Sequence, residues 1–479
     1  MVGKGYISDY LRAAADRLDD KEFLVCQDRT LSWSETYAES TSLAAFIAAK
    51  LNGRPQTVVG ILLPDSWQFV VAYFGIVSAG HIAMPLDITF KKLELDYVTS
   101  AVKPDFVIVN RQTQHLINGP KLLIEQILLH QSPKPSFEYD LPPEKQIATL
   151  FFSSGTTGRP KPIPNTHQNQ IWDVAAIAGP MGWTSRDSLL ITLHLAHRHG
   201  LVICLLGAVY HGNTVYLEER FRAERALALL QSGKVSLYSS VPAAYAALVE
   251  QAPRTKYDLS AVRLFASSSA PLPPYLAEAF KKRFGHAILD RYGTSETGSM
   301  AIRTDAAKNS FGELLADVKI RLEPNGEVAM KSPGLFPGYY HNQAATKASL
   351  TKDGWWLTGD IGELHAGGLV LRGRSKDKIN KAGYSVFPQD IEWALAQHPP
   401  VKEVKVIGLP NESNKLNPED WIAAIFSGSV TERALKDYAK LNLPRSWRPD
   451  IFIKVDQIPK TANGKPRLAE LKALAEQAK

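Results

Sequence analysis

Short apolar runs alternate with longer helical patterns through most of the chain. Residues 58–64 (VVGILLP) form an apolar run that ends at a proline, residues 67–79 carry a helical pattern, and residues 80–85 begin the next run. Residues 106–110 form a further short run. Continuous apolar runs of this length are typical of strands that are buried on both faces of a parallel sheet. The alternation therefore predicts an α/β fold of layered subdomains over residues 1–373.

The pattern changes near residue 318. Residues 318–330 alternate between apolar and polar side chains, which predicts a β-hairpin that turns at Pro324-Asn325-Gly326 within a small β-rich module. Residues 374–479 carry helical patterns at 388–398 and from 431, and strand patterns at 404–408, 421–426 and 451–455. These residues are predicted to form a small α+β domain, so the predicted domains are 1–373 and 374–479.

Composition narrows the class of protein without indicating an activity. The 479 residues are 45% hydrophobic and 22% charged, as is ordinary for a globular protein. Cys26 and Cys204 are too few for a disulfide framework or a metal-ligand spacing, so a reducing compartment is expected. No sequence run approaches the roughly 20 apolar residues of a membrane span, and a cytoplasmic location is expected. The net charge of +7 suits anionic partners, but the basic residues are scattered and no nucleic-acid motif accompanies them.

Residues 151–161, FFSSGTTGRPK, combine small hydroxyl residues and glycines with a closing lysine. Hydroxyl groups and unobstructed backbone N–H groups can surround a phosphate, and Lys161 adds a positive charge. The standard P-loop is excluded because Gly158 is followed by Arg-Pro-Lys-Pro. Pro160 and Pro162 predict an extended exit from the loop, and a polar turn between strands is the alternative interpretation. The residues expected to contact phosphate are Ser154, Gly155, Thr156, Thr157, Gly158 and Lys161.

This loop resembles the signature of the AMP-forming adenylating enzymes, which include acyl-CoA ligases, stand-alone adenylation domains and luciferases. The later motifs of that family follow in order: YGTSETG at 292–298, TGD at 358–360, GRSKDKINKAGYSVFPQDIE at 373–392 and NGK at 463–465. The similarity covers nearly the whole chain and implies that the small C-terminal domain is mobile. One position departs from the family, which usually has glycine where this chain has Pro162.

The resemblance implies an enzyme that joins a carboxylic acid to a thiol in two steps. ATP, with Mg²⁺, would convert the acid to an acyl-AMP and pyrophosphate, and a thiol, with CoA expected, would then form a thioester. One alternative is a stand-alone adenylation enzyme that loads an aryl, amino or fatty acid onto the phosphopantetheine arm of a carrier protein. A catalytically inactive relative that serves as a binding protein is a third interpretation.

The same resemblance implies a role for each motif residue. Beside the phosphate loop, the residues predicted to bind ATP are Tyr292 (adenine), Asp360 (ribose) and Arg374 (ribose or phosphate). The predicted catalytic residues are Ser295 (α-phosphate), Glu296 (Mg²⁺), His197, and Lys465 (carboxylate and phosphate). Lys376 is the predicted hinge of the small domain, and Gly383 is predicted to line the thiol tunnel.

His194, His197 and His199 lie close together in the segment HLAHRHGL. His197 matches the H-x-x-G position of the family at the acyl pocket, where His199 and Arg291 are also expected. A metal site is the alternative interpretation. It is disfavoured because no Asp, Glu or Cys stands near these histidines in the sequence, and their spacing fits no known zinc pattern.

The motifs HRHGL at 197–201 and DRYG at 290–293 partly resemble malonyl-CoA synthetases, whose pockets use an arginine at the position of Arg291. The resemblance implies a short diacid as substrate. Its second carboxylate would pair with Arg291, since a buried unpaired charge is costly. In the alternative account, Arg291 pairs with Asp290 or Glu278, and the pocket accepts aryl or alkyl acids.

Overall fold

The computed structural model describes residues 5–129, 139, 141–153, 160–251, 257–303, 311, 313–365, 368–381, 384–410, 420–460 and 466–479. Within these ranges, two large and mostly parallel sheets form the N-terminal part, and three smaller sheets follow. None of the helices in the described ranges combines the length and apolar character needed to cross a membrane.

The first elements of the chain contribute to both large sheets. Their bounds are α1 Ile7–Leu18, β1 Glu22–Val25, β2 Thr30–Ser32, α2 Trp33–Leu51, β3 Val58–Leu62, α3 Trp67–Ser78, β4 Ile82–Pro85, α4 Lys92–Val102, β5 Phe106–Val109, β6 Lys121–Leu123, α5 Ile124–Ile127, β7 Ile147–Phe152 and β8 Pro162–Thr166. The six-stranded sheet has the order β6-β5-β3-β4-β7-β8. All neighbouring strands are parallel except β8, which pairs antiparallel with β7. Strands β3, β4 and β5 are buried at every position, as their apolar runs predict.

Pro162 opens β8, and β8 is the edge strand of this sheet. Proline cannot donate a ladder hydrogen bond, so sheets accept it at the first residue of a strand or on an edge. The extended exit predicted from Pro160 and Pro162 is confirmed. The position also explains how the chain accommodates proline where the related family usually has glycine.

The nine-stranded sheet contains elements from both ends of the N-terminal part. The further elements are α6 His167–Ala178, β9 Ser188–Ile191, α7 Gly207–His211, β10 Thr214–Leu217, α8 Ala223–Gln231, β11 Leu237–Ser240, α9 Pro242–Gln251, β12 Leu264–Ser267, α10 Pro274–Phe284, β13 Ile288–Thr294, β14 Gly298–Arg303 and β15 Glu313–Leu314. The strand order is β15-β14-β13-β12-β11-β9-β10-β1-β2. A fully buried π-helix, His199–Leu206, precedes α7 and begins inside the histidine motif.

Helix α3 packs in the core that the two large sheets share. Every residue from Phe69 to Val77 is buried, as expected for a helix that is apolar on all sides. At Gly75, a Cβ atom would lie 2.3 Å from Cδ2 of Leu43, so glycine permits the close approach of α2 and α3. The same apolar cluster contains side chains from strands of both sheets. This common core places the two sheets in one packed body.

The predicted β-rich module is present. Its elements are β16 Lys319–Leu322, β17 Glu327–Lys331, α11 Gln343–Ala348, β18 Trp356–His365 and β19 Gly368–Arg374. Strands β16 and β17 pair antiparallel on either side of Pro324-Asn325-Gly326, which confirms the predicted hairpin. Strand β19 pairs antiparallel with β18, and this register places Arg374 opposite Asp360.

The C-terminal residues form a small α+β unit. Its elements are β20 Ile379–Lys381, β21 Tyr384–Val386, α12 Pro388–Ala396, β22 Val401–Pro410, β23 Asp420–Gly428, α13 Glu432–Asn442, β24 Ile451–Lys454 and α14 Leu468–Gln477. Strands β22 and β23 exceed the predicted ranges because they pair antiparallel along their whole length. Two apolar clusters lie entirely within this unit. The boundary at residues 373 and 374 and the mobility of the unit stay predictions.

Candidate active site

The start of the predicted phosphate loop and the histidine motif each follow the carboxyl end of a parallel strand, β7 and β9. Ala83 of β4 pairs with Thr149 of β7. Asp87 and Ser153 each stand four residues further along, so both reach the same edge of the six-stranded sheet. In open α/β sheets, this edge is where ligands bind.

Only the two ends of the predicted phosphate loop lie among the described residues. The N–H of Ser153 donates to the carbonyl of Lys161 over 3.0 Å, and the N–H of Lys161 donates to Oγ of Ser153 over 2.9 Å. These bonds close the base of the loop. The predicted contacts Ser154, Gly155, Thr156, Thr157 and Gly158 lie outside the described residues, as do Gly383 and Lys465.

Ser295 and Glu296 form the tip of the hairpin between β13 and β14. Thr294 and Thr297 exchange hydrogen bonds across this tip, with the N–H of each donating to the hydroxyl of the other over 3.0 and 3.2 Å. A Cβ at Gly293 would lie 2.2 Å from the carbonyl oxygen of Gly298, so the tight hairpin requires glycine there. The hairpin places the Glu296 carboxylate within hydrogen-bond distance of the Tyr339 hydroxyl.

Tyr292, Asp360 and Arg374 form one connected polar group. The Tyr292 hydroxyl donates to Oδ2 of Asp360 over 2.6 Å, and Nε of Arg374 lies 2.7 Å from Oδ1. Burial raises the pKa of Asp360, and Arg374 opposes this shift. The Tyr292 ring is buried and packs against Phe311 at 5.6 Å between ring centroids. The three residues predicted to bind the nucleoside therefore lie together, and their roles at the ribose and the adenine stay predictions.

The residues predicted to bind phosphate and magnesium lie close enough to those predicted to bind ribose for their charges to interact. The Glu296 carboxylate adds to the burial that raises the pKa of Asp360. Burial lowers the pKa of Lys376, and among the nearby cations Arg374 and Lys161 lower it further. The predicted hinge lysine is therefore a neighbour of the phosphate loop and of the ribose group.

Two histidines of the motif each pair with a buried aspartate. Nδ1 of His194 lies 2.8 Å from Oδ2 of Asp65, which follows β3, and Nε2 of His197 lies 2.8 Å from Oδ2 of Asp87, which follows β4. Leu195 donates its N–H to the other oxygen of Asp65 over 2.8 Å. The hydrogen bond that His194 donates to Asp65 raises the pKa of His194.

Two carboxylates that are distant in the sequence therefore accompany these histidines, although no acidic residue stands near them in the sequence. The aspartates come from the ends of two apolar runs, ILLPD and AMPLD, and that repeated ending was the available signal. Across the described ranges, no group of three or more His, Cys, Asp or Glu is arranged to hold a metal ion. The two pairs hold the histidine rings against the loops that follow β3 and β4.

Replacing each aspartate with asparagine should move the ring proton of its partner histidine to the other ring nitrogen. The move is from Nε2 to Nδ1 in His197 and from Nδ1 to Nε2 in His194. In Asp87→Asn, Oδ1 can keep its bonds to Thr89 while the amide donates to Nε2 of His197, which leaves the proton on Nδ1. In Asp65→Asn, the same exchange leaves the proton of His194 on Nε2. Long-range ¹H–¹⁵N NMR at alkaline pH distinguishes these tautomers. Unchanged tautomers in both variants would show that the aspartates do not orient the rings.

His199 and Arg291 lie together on the other side of the motif. Nε2 of His199 lies 2.8 Å from Oγ of Ser239, and Nδ1 lies 3.1 Å from Oγ of Ser269. Burial lowers the pKa of His199 well below its usual value, and the positive charge of Arg291 lowers it further. His199 is therefore a neutral group that hydroxyls orient next to a buried guanidinium.

Arg291 has a different carboxylate neighbour from those expected. Asp290 pairs with Arg303 at 2.6 Å, and Glu278 is exposed on α10, so neither carboxylate named in the alternative account forms an ion pair with Arg291. Nη1 of Arg291 donates to Oγ of Ser299 over 2.6 Å. Burial lowers the pKa of Arg291, and among the nearby charges Asp173 opposes this shift most.

The carboxylate of Asp173 interacts with the positive charges of two arginines, Arg198 and Arg291. It is fully buried on α6, forms a direct ion pair with Nη1 of Arg198, and accepts the N–H of Ser299 over 3.0 Å. Although burial opposes its ionisation, Arg198 and Arg291 hold the pKa of Asp173 below its usual value. Among the described residues, one carboxylate thus faces two guanidinium groups at this buried place, which leaves an excess of positive charge there.

Comparison with known proteins places the chain in a family. The profile of the AMP-binding enzymes matches residues 11–340, and the profile of the AMP-binding enzyme C-terminal domain matches residues 390–465. A 2-succinylbenzoate–CoA ligase of Listeria monocytogenes is 29% identical over 449 residues, covering 91% of this chain and 94% of the relative. The mitochondrial malonate–CoA ligase of Homo sapiens is 28% identical over 511 residues, covering 93% and 88%.

A solved relative agrees with these matches. The o-succinylbenzoate coenzyme A synthetase of Bacillus subtilis, in complex with ATP and a magnesium ion, is 26% identical, with a TM-score of 0.86 and coverage of 97% of this chain and 99% of that one. The predicted fold class and the predicted enzyme class, an AMP-forming acid–thiol ligase, are confirmed. The first profile spans well over half of the sequence, and the chain is a member of the AMP-binding enzyme family.

Proposed function

We propose that this enzyme converts a carboxylic acid and ATP to an acyl-AMP and pyrophosphate, and then transfers the acyl group to CoA. The observation that carries the proposal is the convergence of the Tyr292–Asp360–Arg374 group with Glu296 and the closing lysine of the phosphate loop. Adenylation brings a carboxylate against three phosphates, so its transition state depends on positioned cations and donors.

Each residue would act through charge or position. Lys161 and the hydroxyl and glycine residues of the loop would bind the β- and γ-phosphates, and Ser295 the α-phosphate. Asp360 would accept the ribose hydroxyls, which requires them to share it with the Tyr292 hydroxyl and Arg374.

Glu296 is a suitable magnesium ligand, because Mg²⁺ with ATP commonly uses one or two carboxylates together with phosphate oxygens. When bound, the ion would neutralise phosphate charge. Lys465 would bridge the carboxylate and the α-phosphate in the first step. Rotation about Lys376 would then bring Gly383 and the thiol tunnel into place for the second step.

We further propose an acid that carries a second carboxylate. Arg198 and Arg291 share Asp173, so the buried cluster has an excess positive charge that an anionic acyl group would neutralise. His199, neutral and adjacent, could donate a hydrogen bond to the same group. The malonate and 2-succinylbenzoate named for the two relatives both carry two carboxylates, which supports this proposal.

The wild type should release pyrophosphate with malonate, and Arg291→Met should lose that activity by about 10²-fold, as expected for a desolvated ion pair. Propionate, which has a methyl group in place of the second carboxylate, is the matched acid and should be poor with both forms. Activity is measured as acid-dependent pyrophosphate release with CoA added or omitted. Turnover of benzoate or octanoate with malonate inert would contradict the diacid proposal while leaving the reaction intact.

Two thiols are candidates to accept the acyl group in the second step. CoA is proposed because the named relatives are CoA ligases. The phosphopantetheine arm of a carrier protein is the competing acceptor, and acyl transfer to a purified carrier protein without CoA turnover would favour it. A cytoplasmic location is proposed from the two cysteines, which are both unpaired thiols.

A further inference from the structure

The segment between β17 and α11 contacts both hairpins that carry the proposed ATP site. The N–H of Phe336 donates to the carbonyl of Glu296 over 2.8 Å, at the tip of the β13–β14 hairpin. The N–H of Tyr340 donates to the carbonyl of Pro162 over 3.2 Å, directly after Lys161. Tyr339 is one of the three residues between these two contact points, and it is therefore placed between the phosphate loop and the proposed magnesium carboxylate.

The Tyr339 side chain contacts both functional groups. Its hydroxyl donates to Oε1 of Glu296 over 3.2 Å, and Nζ of Lys161 lies 4.9 Å from the centre of its ring. A cation at this distance from an aromatic face is attracted to the ring electrons. Tyr339 is thus a direct link between the two charged side chains.

Other contacts restrict the ring of Tyr339. Its N–H donates to Oγ1 of Thr346 over 2.9 Å, and the ring packs against Phe336 at 5.1 Å and Trp356 at 5.8 Å between centroids. Trp356 belongs to β18, the strand that also carries Asp360. The ring therefore has a fixed place relative to the ribose group.

The phenol of Tyr339 acts as a hydrogen-bond donor. A phenol keeps its proton at neutral pH, so the Tyr339 hydroxyl can donate to the Glu296 carboxylate. A protonated phenol that donates to one carboxylate oxygen fixes the rotation of the carboxylate and so the direction of its second oxygen. Hydrogen bonds to charged groups are among the stronger ones in proteins.

We propose that Tyr339 is a positioning residue that sets the distance between Lys161 and Glu296 and thereby the affinity of the enzyme for ATP with Mg²⁺. This inference rests on the proposed function, in which Lys161 contacts phosphate and Glu296 binds the metal ion. Tyr339 itself takes no part in bond making. Its hydroxyl orients the metal-binding carboxylate, and its ring supports the phosphate-binding lysine.

Two substitutions separate these contributions. Tyr339→Phe removes the hydroxyl but keeps the ring, so the Mg²⁺ concentration for half-maximal activity should rise about tenfold while the KM for the acid is unchanged. Tyr339→Leu removes the ring as well, so the Kd for ATP should also rise. Tyr340→Phe is the matched control, because it removes the hydroxyl of the neighbouring tyrosine, whose ring lies 4.0 Å from that of His341. It should behave as wild type.

The measurements are acid-dependent ATP–pyrophosphate exchange over a range of Mg²⁺ and calorimetric binding of ATP with and without Mg²⁺. In a Glu296→Gln background, Tyr339→Phe should add no further change in the Mg²⁺ dependence. A wild-type Mg²⁺ dependence in Tyr339→Phe, or an equal shift in Tyr340→Phe, would overturn the inference. Failure of the proposed function is distinct: ATP would bind with Mg²⁺ but no acid would support exchange, and the binding data would still decide on Tyr339. Wild-type enzyme that binds no ATP with Mg²⁺ would overturn both.

Discussion

Asp173→Asn is expected to lower the free energy of unfolding by about 3–5 kcal/mol, the usual cost of removing one partner of a buried ion pair. Asp173 is fully buried, and its loss leaves Arg198 and Arg291 without their shared carboxylate. Asparagine has the same shape and can still accept the N–H of Ser299, so the loss reports mainly on charge. Urea denaturation gives the free energy.

The contrast with an exposed pair makes this test specific. Asp353 pairs with Arg321 at the surface, with side chains 56% and 36% exposed, so Asp353→Asn should change stability little. Replacing Asp173 and Arg198 together with leucine and methionine should recover part of the loss, because no unpaired charge from that pair remains buried. An Asp173→Asn protein as stable as wild type would show that the cluster is not sensitive to its net charge.

Lys465→Ala is expected to reduce acyl-adenylate formation by about 10²–10³-fold, by analogy with the loss of one transition-state donor. Thioester formation from a supplied acyl-adenylate should fall much less, because the lysine is expected to act in the first step only. Lys465 lies outside the described residues, so this expectation comes from the motif NGK.

Lys460→Ala is the matched control for Lys465. Lys460 lies five residues earlier and forms an ion pair with Glu403 inside the C-terminal unit, so its loss should leave both half-reactions near wild type. Each half-reaction is followed separately, by pyrophosphate exchange and by thioester formation from synthetic acyl-adenylate. An equal fall of both half-reactions in Lys465→Ala would contradict a C-terminal unit with two working positions.

Local sequence was sufficient for the elements whose formation depends on short-range chemistry. The apolar runs predicted β3, β4 and β5 as buried strands, and Asn325-Gly326 predicted the turn of the β16–β17 hairpin. Pro162 indicated an extended strand because its ring restricts the backbone whatever surrounds it. The ordered motifs were enough for family and reaction class, since each is a short stretch whose residue types match one chemical task.

The partners of the site residues could not be read in the same way. Asp87 lies 110 positions from His197, and Tyr339 lies 43 from Glu296, so no pattern within either segment indicates the other. Asp173 lies 25 positions before Arg198, and nothing in its own segment indicates the ion pair that α6 forms with that arginine. Periodicity and motifs report which way a side chain faces and what it can do. Which side chains meet, and which buried charge stays uncompensated, depends on how the sheets and hairpins pack around a common core, and that packing is a property of the whole chain.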